Sequence, residues 1–383
     1  MKYLLPESKT NILSHAEAEN KKTTYDKGSI NVFLNKDTSK FTFYLNLLWD
    51  GDVYLGESYV NEVWSVHEGD YLHKFLLDIL SNMDATSNWK TTIFSGVKHI
   101  FKSIVSHASI SRSEECIDAH YNNGVELFRS FLCPNMVYTA ALWNDGEACL
   151  EDAQVRKVNR ILDLAKVVEG TKMLEFGCGY GFLSHVAAVE RKASFVTALC
   201  NCKDMVGEAR KQYGKNENIK FLLKDYRNAP KTSSYDAIVS VEMIEAVPFG
   251  DYPVFSKSCF DALRHGGVVV IQCIHAYPCN NNVANGTTKH STFVTKHIFP
   301  ESQIVHLEKL HSAFFLNGFS LEYVETSGTD YAKTLRAWRH KLELNEKKIS
   351  RKTFLKYQYY LAWCEACFDN GLLYTSRVVY KKK

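Results

Sequence analysis

The sequence predicts an α/β protein, a doubly wound sheet with a smaller mixed N-terminal domain, and three observations carry that expectation. The chain has 383 residues, 45% of them hydrophobic, which suits one large folded domain with a smaller companion and excludes disordered and fibrous classes. From Ala165 onward, apolar runs alternate with helix-like stretches, the texture of a parallel sheet covered on both faces. At the end of the first such run stands a glycine-rich turn, LEFGCGYG. The formal net charge of +3 gives no global reason to expect a polyanionic partner.

Taken in order, residues 1–40 are polar and read as a partly ordered lead-in, with brief apolar alternation at Ile30 to Leu34. Residues 41–115 form the N-terminal domain: short apolar segments punctuated by Gly51 and Gly56, then the helical stretch YLHKFLLDILSNM. Within it, Thr86 to Ile110 holds three Lys and no acid, with Ile93, Val97, Ile100, Phe101, Ile104 and Val105 on one helical stripe. That stripe suits either a helix packed on its own domain or one lying on an anionic bilayer. In residues 116–383, TKMLEF, FVTALC, IKFLLKD, YDAIVSVEM and GGVVVIQCI read as strands, with LSHVAAVERK, DMVGEARKQY and CFDALRH as helices between them. Two long helical stretches follow, around 334–347 and 354–368. The opening MKYLLPESKT meets Pro and Glu before any apolar run of signal-peptide length, and no run approaches the ~20 residues of a membrane span, so a cytoplasmic protein is expected. Eleven scattered Cys read as free thiols.

Gly177, Gly179 and Gly181 stand where the backbone must turn tightly and admit a ligand beyond the carboxyl ends of the strands. Their spacing differs from the dinucleotide GxGxxG, and Glu175 precedes them. The loop resembles the S-adenosylmethionine loop of class I methyltransferases. That likeness implies that Glu175 orients the amino-acid part of the cofactor and that Asp225 and Tyr226, after the third strand, face its adenine. The second strand ends in ALCNC, with no acid for the ribose hydroxyls, leaving Asn201 or the backbone near Leu199.

A narrower resemblance follows from HYNNGVELFRSFL, MVYTAALW, LEFGCGYG, KDYRN, SVEMIEAV, HIFP, DYAKTLRAW and YYLAWCEACF, in that order. From about Gly51 to about Phe368 the chain resembles the cyclopropane-fatty-acid synthase family. The resemblance implies transfer of a one-carbon unit from S-adenosylmethionine to the cis double bond of an unsaturated phospholipid acyl chain, through a carbocation. It also implies action at a membrane surface, which the basic stripe of Thr86 to Ile110 would suit if that surface is anionic, and it is compatible with a homodimer. In the family, a bound bicarbonate removes the proton that allows ring closure. Carried over by position, Glu245, Tyr331 and Cys364 match residues around that site, Tyr138 and Thr139 match a Tyr-Ser pair on the cofactor, and His120 and Tyr121 match the opening His-Tyr. Three positions depart: Ala140 replaces a Cys, Ala246 a His, and Gln272 the bicarbonate-binding His. A Gln amide can still donate to an anion, so bicarbonate remains compatible.

Two other functions keep the fold: methylation of a small amine, and lipid binding without catalysis. A nucleic-acid methyltransferase is disfavoured, because VEMIEAV stands where amino-methylating enzymes carry an Asn/Asp-Pro-Pro-aromatic motif. No nucleic-acid partner is expected. Cys364 and Cys367 form a CxxC without a second ligand pair, so no metal is expected. The aromatic cluster Tyr357, Tyr359, Tyr360, Trp363 and Phe368 reads as core or as the wall of an acyl channel. Lys333 to Lys356 carries nine Lys or Arg against two Glu. That is either a solvated face or a contact for anionic headgroups, each basic residue contributing roughly 1 kcal/mol.

Overall fold

The structure, a computed structural model, describes residues 10–13, 30–66, 69–85, 124–146, 149–276, 292–300 and 302–383. The basic stripe of Thr86 to Ile110, His120 and Tyr121 lie outside them. Contacts divide the chain into two compact units, one of Met1–Ser106, Ser291–Ile298 and Leu335–Leu372, the other of His107–His290, Phe299–Thr334 and Leu373–Lys383. This differs from a single boundary near residue 115: the two long C-terminal helices group largely with the N-terminal residues.

In the first unit, β1 (Thr10–Leu13) runs parallel to β2 (Ile30–Leu34), and β3 (Trp64–Ser65) pairs antiparallel with β2. Ile30, Val32 and Leu34 are buried in strict alternation, the period of a strand with one covered face. A helix, Lys40–Val60, stands where short apolar segments were expected. Ser39 caps it by accepting the Thr42 N–H, and only Gly51 leaves helical geometry. Helix Gly69–Ala85 packs on helix Arg351–Asp369, whose aromatic side chains are buried almost all round. Tyr359 meets Phe293 edge-on at 4.8 Å, and Tyr59 donates to Gln358 Oε1 at 2.7 Å. The aromatic stretch therefore forms core within this unit.

The same unit buries ions. Arg339 and Glu365, both 0% exposed, meet at 3.0 Å. Arg336 joins Glu365 and Asp369, and Arg351 pairs with Glu62 and Glu346. Acids outside the basic segment thus offset part of its local charge.

In the second unit, seven strands form one sheet: β4 (Lys172–Phe176), β5 (Phe195–Cys200), β6 (Ile219–Leu223), β7 (Tyr235–Val241), β8 (Leu263–Ala276), β9 (Phe319–Ser327) and β10 (Leu373–Lys382). Their order is β6-β5-β4-β7-β8-β10-β9, with β4 to β8 parallel and β10 antiparallel to both neighbours. Alternate residues feed two cores. Met173, Val239, Val268 and Val270 belong to one, with Val158, Val186 and Val206 from its helices; Leu174, Phe176, Ile238, Val269 and Ile271 join Phe255 and Phe314 in the other. Chain order reverses between β4 and β7, so the ligand crevice of such a sheet opens at their carboxyl ends. Among the described residues, no helix is long and apolar enough to cross a membrane, and the cysteines are free thiols.

Candidate active site

The glycine loop leaves β4 at that reversal point. Gly177 and Gly179 have φ of 78° and 52°, a left-handed conformation that only glycine adopts without strain. The N–H groups of Gly177 and Cys178 both donate to the Leu199 carbonyl, at 2.8 and 3.0 Å, which stitches the loop to the end of β5. A Cβ on Gly177 would lie 2.7 Å from Met243 Cγ, whereas one on Gly179 would meet no protein atom within 4 Å. One glycine is thus required by packing, and the other opens space.

Glu175 is buried, 3% exposed, and accepts from Ser184 Oγ on helix Phe182–Val189. Burial, opposed by that bond, pushes its carboxyl up to about 7. Across the loop, Asp225 accepts from Arg227 Nε at 2.7 Å and from Asn201 Nδ2 at 2.9 Å. Burial raises the Asp225 carboxyl, but those donors outweigh it and hold it below the usual range. Asn201 Oδ1, also buried, finds no donor in the protein among the described residues. The Tyr226 ring packs edge-on against Phe255 at 5.3 Å within the second core. Tyr138 lies edge-on to Phe128 and Phe131, and Thr139 Oγ1 accepts from Lys157 Nζ at 2.7 Å. That lysine is fully enclosed, and burial pushes its amine down to about 8.

Beside the loop, at the end of β7, lies a carboxylate that the sequence reading did not single out. Glu242 Oε1 accepts the Ala140 N–H at 2.9 Å and Gln272 Nε2 at 2.7 Å, and its Oε2 accepts the Tyr331 hydroxyl at 2.9 Å. Glu242 takes a left-handed φ of 49°, sterically unfavourable for a side-chain-bearing residue. Burial pushes its carboxyl up, while Gln272, the Ala140 amide, Lys157 and Tyr331 pull it down; the net direction is up. Gln272 is fully buried, and its orientation is set by Arg377, whose Nε donates to Oε1 at 2.9 Å and leaves Nε2 for Glu242.

Of the residues singled out from sequence, Tyr331 and Gln272 therefore come together, around Glu242. The Glu245 carboxylate turns instead to the Ile274 N–H at 2.6 Å. Its Oε2 is buried without a partner among the described residues, and burial followed by the charge of Glu242 pushes it up to about 8. Cys364 belongs to the other unit, where burial pushes its thiol up to about 12. The signal for Glu242 was VEMIE itself, which places two acids three residues apart after an apolar strand. Register then decides between them, because Val241 pairs with Gln272 across β7 and β8.

Comparison with known proteins agrees with this fold. The chain is 28% identical to a probable fatty acid methyltransferase of Pseudomonas putida over 275 residues, 70% of this chain and 69% of that protein. It is 29% identical to the tuberculostearic acid methyltransferase UfaA1 of Mycobacterium tuberculosis over 344 residues, 84% of this chain and 77% of that one. The solved structure of the cyclopropane synthase MmaA2 from Mycobacterium tuberculosis superimposes with a TM-score of 0.65 at 24% identity, covering 70% of this chain and 98% of that one, and shares the class I methyltransferase fold. The family model described as mycolic acid cyclopropane synthetase matches residues 108–378, and with well over half of its length inside that match, the chain belongs to this family.

Proposed function

We propose that the chain is an S-adenosylmethionine-dependent enzyme that transfers a methylene to the cis double bond of an unsaturated phospholipid acyl chain, working as a peripheral protein on the cytoplasmic membrane surface. The observation that carries the reading is the junction at the ends of β4 and β7, where a glycine loop with open space at Gly179 adjoins the half-buried Glu242 carboxylate held by Gln272 and Tyr331. Family membership supports the lipid acceptor.

The residues present fit the cofactor. Gly179 leaves room for it, while Gly177 and Gly181 hold the loop tight against Met243 and Phe221, and the donorless Asn201 Oδ1 suits a ribose hydroxyl. Glu175, Asp225, Tyr226, the Leu199 backbone, Tyr138 and Thr139 complete the proposed binding set. S-adenosylmethionine, when bound, supplies an electrophilic methyl group. An alkene is a weak nucleophile, so this chain's contribution is alignment of the reacting carbons and exclusion of water. The half-buried Glu242 and Glu245 carboxylates and the Tyr331 ring would then lie near the developing cation, and a base takes the proton whose loss closes the ring.

The test is expression in a host that lacks cyclopropane lipids, followed by mass spectrometry of its acyl chains. Chains heavier by one methylene, with ring fragmentation, are expected. Unchanged lipids from a soluble, cofactor-binding protein would refute the reading. A methyl branch would instead place the chain with relatives named for fatty acid methylation.

A further inference from the structure

We propose that Glu242 is the proton acceptor of this chain, its own carboxylate standing where the family would hold a free bicarbonate. The inference rests on the function proposed above and deepens it. Ala140 and Gln272 replace two bicarbonate-site residues, and Tyr331 matches a third; their N–H, amide and hydroxyl donors converge from three separate segments. All three are already spent on Glu242. A free anion placed among them would find no donor from these groups and would lie against a carboxylate, an arrangement in which two like charges oppose each other. Bicarbonate therefore does not fit this site.

Further features suit a base. The Gln272 amide is locked by Arg377, so its N–H faces Glu242 permanently. Glu242 keeps its left-handed backbone, a conformation that persists where the surroundings impose it. Oε1 takes two donors and Oε2 only one among the described residues, so a carboxylate with about four acceptor positions keeps one open on Oε2. Glu245 is the poorer base, since burial and the neighbouring Glu242 charge keep it protonated near neutrality.

The step balances without a further reagent. Oε2 takes a proton from the newly transferred methyl, and the electron pair of that C–H bond forms the last carbon–carbon bond of the ring and neutralises the carbocation. Glu242 is left as the acid and returns its proton to water.

The test uses the full chain, S-adenosylmethionine and unsaturated phospholipid vesicles, in buffer stripped of carbon dioxide and with bicarbonate restored. Wild-type turnover is expected to be the same in both. Glu242→Gln should lower turnover by about 100-fold or more with S-adenosylhomocysteine affinity unchanged, and Glu242→Ala should regain activity as bicarbonate is added. Stimulation of the wild type by bicarbonate, or wild-type turnover in Glu242→Gln, overturns the proposal. If the wild type methylates no lipid, the function is wrong, and Glu242 is judged separately by infrared detection of carbon-13 bicarbonate. Binding to Glu242→Ala, or to Glu242→Gln should the alanine variant not fold, with none to wild type supports it. Binding to wild type, or to neither variant, refutes it.

Discussion

Replacing Gly177 and Gly179 by alanine, one at a time, separates what the loop does for the fold from what it does for a ligand. At Gly177 the new Cβ would lie 2.7 and 2.8 Å from Met243 Cγ and Cβ, with φ at 78°. The left-handed conformation costs about 1–2 kcal/mol for a residue with a Cβ. Because the clash involves the root of the Met243 side chain, the loop must move, and such overpacking costs about 1–3 kcal/mol. A total of about 2–5 kcal/mol should lower the melting temperature by several degrees at least. At Gly179 the same methyl meets no protein atom within 4 Å, so only the conformational cost of about 1–2 kcal/mol applies. The unliganded Gly179→Ala protein should therefore lose less melting temperature than Gly177→Ala, a few degrees at most. If that open space receives the cofactor, its S-adenosylhomocysteine affinity should fall at least about tenfold, which is about 1.4 kcal/mol. Scanning calorimetry and isothermal titration read the two effects. Wild-type melting of Gly177→Ala refutes the packing argument, and wild-type affinity of Gly179→Ala refutes the placement of the cofactor.

Three other outcomes follow from the burial of charge. Glu245 holds its proton up to about pH 8 when folded but only to its ordinary value of 4.5 when unfolded, so its contribution to stability is complete below 4.5 and is lost as the pH rises through 8. Glu245→Gln should flatten the melting temperature across that window, and an unchanged slope would count against the burial argument. In the first unit, Glu365→Ala strips the fully buried Arg339 of its 3.0 Å partner, leaving Glu343 at 3.4 Å, and should destabilise by about 3 kcal/mol in chemical denaturation; a change below about 1 kcal/mol would show that the remaining partners compensate the cation. The Cys364 thiol, pushed up to about 12, is neutral at physiological pH, so Cys364→Ala should keep turnover. Alkylation at pH 8 should reach the exposed Cys149 long before it; loss of turnover in Cys364→Ala with intact cofactor affinity would restore a catalytic role.

Strands β4 to β8 were legible because each is an apolar run bounded by turn residues, and the loop after β4 because three glycines announce a constrained backbone. β9 and β10 were not. β10 buries Ser376, Arg377 and Lys382, so its sequence lacks an apolar rhythm, and β9 exposes Leu321, Tyr323 and Val324 at the sheet edge. The helical span Lys40–Val60 was obscured because Gly51, where the backbone does leave helical geometry and the helix kinks, and Gly56, which stays helical, were both read as punctuation. The local charge of Lys333 to Lys356 likewise could not reveal that Glu62, Glu365 and Asp369 answer three of its arginines.

By itself, then, the sequence determined the α/β class, the positions of the parallel strands along the chain and that of the glycine loop, since these depend on periodicity and turn chemistry over a few neighbouring residues. Only the tertiary structure decided which acid is held by Tyr331 and Gln272. Glu242 and Glu245 are nearly equivalent in VEMIEAV. What distinguishes them is the register of β7 on β8 and of β8 on β10, together with the arrival of Ala140 and Tyr331 from segments about a hundred residues away on either side. Those donors are fixed by the packing of the sheet, and no local pattern encodes them.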